Sequence, residues 1–284
     1  MMNPAALTPD DSGPLSPYNF ERLAKFIKNY SGISLNTSRH TMLEGRLRRR
    51  CRAVGIADIN EYCRILFEEA GPEIDAEIVH LIDAVTTNKT DFFREPSHFD
   101  YLTQTILPEI TRSGARHIKI WSAACSIGAE PYTIAMLLDD FCRKHPGMDY
   151  SILATDLSFQ ALQKALIGRY PEPMVDPVPD ELRHHYVMCS ADGKEVRMSP
   201  RLRSSIAFAR LNLMDDTYPV PNDFDVIFLR NVLIYFDKPT QTKVPERLTR
   251  HLRSGGYLIL GHSESVSRTG LPLDSVANTI FQRR

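Results

Sequence analysis

Segments at the ends of apolar runs carry the side chains that could do chemistry here, and together they suit recognition of a nucleoside. Trp121-Ser122-Ala123-Ala124-Cys125-Ser126-Ile127-Gly128-Ala129-Glu130-Pro131-Tyr132 is rich in small residues, which let a backbone come close to a ligand. It has a single Gly128 and no G-K-[ST], so it is neither the dinucleotide fingerprint nor a P-loop. A nucleoside without a polyphosphate remains. Glu130 is placed to meet a cation; the plainer reading is a tight strand-to-helix turn with Glu130 at the helix N-terminus. Asp156 closes the next apolar run and reads either as an acceptor for ribose hydroxyls or as a helix N-cap. Asn212-Leu213 reads as an adenine contact or as a turn. Arg230-Asn231-Val232-Leu233-Ile234-Tyr235-Phe236-Asp237 is more specific, gathering polar and aromatic groups where a substrate would meet a cofactor. Thr86-Thr87-Asn88-Lys89-Thr90-Asp91-Phe92-Phe93-Arg94-Glu95 has neither helical nor strand periodicity, and suits the lid or floor of the same pocket.

The elements that must position these groups follow from hydrophobic spacing. Residues 1–17, with Pro4, Pro9, Pro14 and Pro17 among Ser, Asp and Gly, are expected to form a mobile tail. From Tyr18, the series Phe20, Leu23, Phe26, Ile27 and Tyr30 marks a helix closed by Gly32. Leu43, Leu47, Cys51 and Val54 stripe a second; Asp58 with Glu61 caps a third; Pro72 opens a fourth with Ile74, Ile78, Leu81 and Ile82 inward. Residues 18–85 therefore form a helical domain, and 86–115 a linker segment with a helix from Pro96 to Ile110. Across 116–284 short apolar runs alternate with helical ones, the pattern of a parallel sheet with crossover helices. Strands are expected at His117–Ala123, Tyr150–Thr155, Ile206–Leu211, Asp225–Leu229 and Tyr257–Leu260, and helices at Pro131–His145, Phe159–Ile167 and Pro239–Arg253. Residues 171–200 interrupt this rhythm with a short helix and a hairpin, an apparent insertion.

Composition narrows the class. Lys and Arg total 34 against 35 Asp and Glu, so net charge gives no reason to expect a nucleic-acid partner or a polybasic membrane anchor. No apolar run approaches the roughly 18 residues of a spanning helix, and no signal peptide is evident, so a cytoplasmic location is expected. Five scattered cysteines without a C-x-x-C pair argue against disulfides and zinc, and no metal site is expected. The one strong local charge feature is the helix bearing Arg46, Arg48, Arg49, Arg50 and Arg52. At about 100° per residue, Arg48, Arg49 and Arg52 point away from the Leu43/Leu47/Cys51 stripe. That face is either simply solvated or a dock for an acidic partner.

In order and spacing, TTNKTDFFRE, IWSAACSIGAEPYT, ATDLS, ARLNL, FLRNVLIYFD and LILGHSES resemble the CheR family of chemotaxis receptor methyltransferases, from about Tyr18 to the C-terminus. The resemblance implies an α/β fold: a class I S-adenosylmethionine-dependent methyltransferase sheet with an N-terminal all-α domain and a small inserted antiparallel β-subdomain. It implies methyl transfer from S-adenosylmethionine, leaving S-adenosylhomocysteine, to glutamate carboxylates on the cytoplasmic helices of chemoreceptors. Carried over by position, the cofactor falls among Asn88, Thr90, Arg94, Glu130, Asp156, Asn212, Leu213, Arg230 and Asn231, with Arg94 and Tyr235 nearest the transferred methyl. Arg46, Arg48, Arg49 and Arg52 become the receptor-docking set. The family loop often reads S-T-G-E-E-P; here Ile127 and Ala129 replace the Thr and the first Glu. The turn Ser190-Ala191-Asp192-Gly193-Lys194 is shorter than in relatives that grip a receptor pentapeptide, so no such tether is expected, and nothing demands a dimer. A cofactor-sensing module without catalysis is the main alternative. A nucleic-acid methyltransferase is disfavoured by the lack of a [DNS]-P-P-[YF] segment, a Pro-Cys nucleophile or a basic excess.

Overall fold

Apolar residues three and four apart fold the N-terminal part into α1 (Pro17–Ser31), α2 (His40–Val54), α3 (Ile59–Glu68) and α4 (Pro72–Val85). The structure, a computed structural model, describes residues 13–35, 39–266 and 270–284, and separates into units 1–87 and 88–284. Of the expected mobile tail, residues 1–12 lie outside the described residues. Residues 13–17 are instead built into the first unit: Leu15 is 2% exposed, and Asn60 donates to the Pro14 carbonyl and accepts from the Ser16 amide. Ser16 also caps α1 by accepting from the Asn19 amide at 3.2 Å, and Gly32, at φ 76°, ends it. Asp58 caps α3 as expected, but Glu61 pairs with Arg64 instead of closing a capping box.

A half-buried carboxylate ties the first unit together. Glu77 of α4 accepts two hydrogen bonds from Arg50 of α2, at 2.8 and 2.5 Å, and one from the Tyr62 hydroxyl of α3 at 2.6 Å. Burial pushes the Glu77 carboxyl up, but these donors more than offset it and hold it below the usual range. Three helices thus share one anion.

The second unit starts with a helix in the expected place, but not a uniform one. α5 (Ser97–Tyr101) and α6 (Leu107–Arg112) are joined by a wider turn, Leu102–Ile106, in which the Leu107 amide reaches back to the Leu102 carbonyl. Pro108 explains it, because its ring has no N–H to give and would collide with the carbonyl four residues earlier. Phe99, Leu102, Ile106, Leu107 and Ile110 are buried in the sheet's core, so this helix packs as part of the second unit.

β1 (His117–Ala123), α7 (Ala129–Lys144), β2 (Asp149–Asp156) and α8 (Phe159–Ile167) follow. The inserted piece carries β3 (Arg169–Pro171), α9 (Asp180–Tyr186), β4 (Val187–Cys189), β5 (Glu195–Met198) and α10 (Pro200–Ser204). The sheet then resumes with β6 (Ile206–Arg210), β7 (Phe224–Leu229), α11 (Lys238–His251), β8 (Leu252–Leu260), β9 (Leu273–Ala277) and β10 (Ile280–Arg283). Strand order is β6-β2-β1-β7-β8-β10-β9; β6, β2, β1, β7 and β8 run parallel, and β10 is antiparallel to both neighbours. Side chains alternate between two cores. Ile118, Ile120, Val226, Phe228 and Ile259 face α5 to α7, whereas Trp121, Ala123, Ile227, Leu229 and Leu260 face Val244 and Leu248 of α11.

The five parallel strands were expected; β3, β9 and β10 were not. The inserted β3-β5-β4 sheet is antiparallel and is fastened to α7 by Asp139, which accepts from Tyr186 at 2.7 Å and Arg201 at 2.5 Å. In the first unit, removing Glu77 leaves the Tyr62 hydroxyl and Arg50 without their acceptor. Glu77→Ala should therefore lower its stability by about 2 kcal/mol and Tyr62→Phe by about 1 kcal/mol in urea unfolding. Equal stability of Glu77→Ala and the parent would refute this keystone role.

Candidate functional site

Strand order reverses between β1 and β7, and open α/β sheets bind ligands at the carboxyl edge of that reversal. Backbone strain gathers at the same edge. Among the described residues, five of the seven non-glycine positions with positive φ are there: Phe93 (52°), Glu95 (58°), Ala124 (65°), Ser126 (54°) and Asn231 (58°). Each left-handed residue costs about 1–2 kcal/mol, which only a surrounding network can hold in place. Gly128, at φ 96°, has no alternative, since a Cβ would come within 2.8 Å of the Ala165 Cβ and 2.9 Å of the Tyr170 hydroxyl.

Asp156 organises one side of this edge. Its carboxylate accepts the Ser126 amide at 2.7 Å and the Ser158 amide at 2.8 Å, joining the loops that follow β1 and β2. The N-cap of α8 is Ser158, whose hydroxyl accepts the Ala161 amide, so the N-cap reading of Asp156 is not the one taken. Asn88 approaches the same hydroxyl at 3.5 Å. Tyr170 of β3 donates to the Ile127 carbonyl at 2.7 Å and meets Phe92 edge to face at 5.1 Å, so the inserted sheet braces the loop after β1 and the Asn88–Glu95 segment alike. Burial holds the Cys125 thiol far above its ordinary pKa, which rules it out as a nucleophile.

Arg230 organises the other side. Its side chain is 2% exposed and donates to Glu130 at 2.9 Å, to Glu95 at 3.1 Å and to the Arg94 carbonyl, with the guanidinium over the Phe99 ring. Glu130 also accepts from Ser122 at 2.7 Å. The cation that Glu130 meets is therefore Arg230; two residues expected to touch the cofactor separately are bonded to each other. Asn231 donates to the other Glu95 oxygen at 3.0 Å. Burial pushes the Glu95 carboxyl up, but Asn231 and Arg230 outweigh it and hold it below the usual range.

Sequence reasoning quoted Glu264 within LILGHSES but gave it no role. Its buried carboxylate accepts the amides of Asn231 (2.8 Å), Leu233 (2.7 Å) and Gly261 (2.8 Å), fixing the turn that carries Tyr235. Burial keeps its pKa raised even so. Gly261 is obligatory, because a Cβ would lie 2.5 Å from the Asn231 amide nitrogen Nδ2. The usable signal was an acid just past the glycine that ends an apolar run. His98, also unforeseen, is buried, which lowers its pKa to about 4.

The remaining expected residues divide. Thr90, Arg94 and Tyr235 are half-buried on this edge, with an Arg94 guanidinium nitrogen on the Lys89 carbonyl at 3.2 Å. Asn212 forms a turn, accepting the Met214 amide at 3.0 Å. The Leu213 side chain packs in the Trp121 core, which leaves only its backbone for a ligand. On α2, Arg46 donates to the Ala84 and Thr86 carbonyls at 2.9 Å, satisfying the end of α4. Arg48 pairs with Glu44, while Arg49 and Arg52 are exposed.

This donor set fits a nucleoside joined to an amino acid. Asp156 offers acceptors to ribose hydroxyls, the buried Ser126 hydroxyl has no partner among the described residues, and left-handed backbone at Ala124, Ser126 and Gly128 opens the loop to a ligand. Residues 88–280 match the family described as "CheR methyltransferase, SAM binding domain" and residues 19–86 "CheR methyltransferase, all-alpha domain". A chemotaxis protein methyltransferase of Borreliella burgdorferi is 38% identical over 86% of this chain and 87% of its own. Those of Klebsiella aerogenes (38%, over 90% and 86%) and Escherichia coli K12 (36%, over 89% and 86%) are similarly related. The chain belongs to the CheR methyltransferase family, with S-adenosylmethionine as its cofactor.

Proposed function

We propose that the protein methylates the side-chain carboxylates of specific glutamates on the cytoplasmic helices of chemoreceptors, giving methyl esters for sensory adaptation. When bound, S-adenosylmethionine supplies an electrophilic methyl on a sulfonium centre. The observation that carries this reading is a polar, strained carboxyl edge with Arg94 held between two left-handed residues, in a chain whose relatives are chemotaxis protein methyltransferases.

A glutamate with a pKa of about 4.3 is already ionised at neutral pH, so it needs no general base to attack a sulfonium methyl. The site's own groups agree with that requirement: Cys125 is held protonated, and the Glu130 and Glu95 carboxylates are occupied by Arg230. What the residues must supply is alignment, a gain of up to roughly 7–11 kcal/mol in favourable intramolecular systems. In this reading Arg94 orients a carboxylate, that of the substrate or that of the methionyl group, and Tyr235 shapes the transfer position. Asn88, Thr90, Asp156, Asn212, Asn231 and the backbone of Leu213 hold the cofactor. Glu130 and Arg230 act through the framework they brace. The short Ser190–Lys194 turn leaves the enzyme independent of a pentapeptide tether.

The receptor is acidic where it is methylated, and the exposed cations of α2 suit it. With Arg46 committed to α4, docking falls to Arg49 and Arg52, assisted by Arg48.

Incubation with methyl-labelled cofactor and a receptor cytoplasmic fragment should give protein-bound label released as methanol by mild base, and Arg94→Ala should lose most of it, with S-adenosylhomocysteine binding kept if Arg94 holds the substrate carboxylate and weakened if it holds the methionyl one. Base-stable label would contradict ester formation, and full turnover by Arg94→Ala would remove its role. Paired reversal of Arg49 and Arg52 to Glu should raise KM for the receptor fragment several-fold at low salt and leave S-adenosylhomocysteine affinity unchanged. An unaltered KM would dismiss the docking face.

A further inference from the structure

We propose that Glu95, His98 and His262 form a binding site for one divalent cation of the zinc class, although the cysteine pattern alone gave no reason to expect a metal. Their candidate ligand atoms lie within 4.8 Å of one another. His98 supplies an independent reason. Its ring is buried at 1% exposure, and Nε2 lies 2.9 Å from the Thr279 hydroxyl. That hydroxyl donates to the Asn278 carbonyl, so it accepts from His98, and the proton of a neutral ring sits on Nε2. Nδ1 is left as a lone pair with no hydrogen-bond partner, 3.5 Å from Glu95 Oε2, an acceptor that already takes the Arg230 guanidinium at 3.1 Å and the His262 amide at 3.2 Å. The buried imidazole nitrogen and the half-buried carboxylate oxygen face each other with no proton between them, which leaves a place for a cation. His262, exposed and edge to face with His98 at 4.8 Å between ring centres, can turn to become the third ligand.

Two imidazoles and a carboxylate suit Zn2+, Co2+ or Ni2+ better than Mg2+ or Ca2+. Bonds of about 2.0–2.2 Å require the three groups to draw closer, and His262, exposed and with Nε2 on the exposed Ser97 hydroxyl at 3.2 Å, is the group with most room to move. Arg230 does not cancel the site's charge, because it is shared by two carboxylates, Glu95 and Glu130, which leaves one negative charge for the ion. The second ring nitrogen of His98 is already oriented by Thr279, the arrangement that fixes a metal-binding histidine.

The test reads binding alone, so it stands apart from the proposed reaction. Tag-free full-length protein carrying Cys189→Ser, which removes the exposed thiol, is titrated calorimetrically with ZnCl2 and followed with Co2+ by visible absorption. The expected result is one ion per chain with nitrogen and oxygen ligands, and at least about tenfold weaker binding in His262→Ala, itself an exposed change that leaves the fold intact. Equal affinity in His262→Ala, no ion bound, or preference for Mg2+ over Zn2+ would overturn the assignment.

Discussion

One buried guanidinium holds the chemical edge of this enzyme together. Arg230 enters from the end of β7 and bonds to Glu130 after β1, to Glu95, and to the backbone carbonyl of Arg94. Three segments far apart in sequence converge on one planar cation. Such a group is stabilising only when fully paired, because an unpaired buried charge costs several kcal/mol. The requirement therefore runs both ways: the segments need Arg230 to converge, and Arg230 needs them in order to be buried.

That reciprocity accounts for the strain. Phe93 and Glu95 adopt left-handed backbone on either side of Arg94, and Asn231 does so beside Arg230. A loop released from these bonds would relax to ordinary φ values and carry Arg94 away from its place. Glu264 does for the following turn what Arg230 does for the segment before it, with an anion gathering three amides. In the proposed reaction the nucleophile is already ionised, so it gains little from acid–base groups and much from rigidity. The chain spends its buried charges on rigidity.

Much of this was legible in sequence, for identifiable reasons. β7 and most of β1 are buried on both faces and read as apolar runs, and the helices show through their spacing. β9 was missed because it is an exposed edge strand with no buried alternation, and β3 because three residues carry no period. Candidate site residues were chosen where polar groups cluster at strand ends. Their bonding was not found, since the partner of Arg230 lies 100 residues away in Glu130, and no local pattern records such a pair. Arg46 shows the converse: in a run of arginines it looks like surface charge, yet its guanidinium completes the hydrogen bonding of another helix's last turn.

The account stands on Arg230 as the joint of the site, and a substitution that keeps the charge but not the fork tests it. Lysine can reach one of the three acceptors but not bridge them. The decisive measurement is calorimetric binding of S-adenosylhomocysteine to Arg230→Lys, with urea unfolding to establish that the variant is folded. The account predicts a cooperative fold and affinity reduced by roughly tenfold or more, the scale of about 1.4 kcal/mol. A folded variant with parental affinity would contradict it.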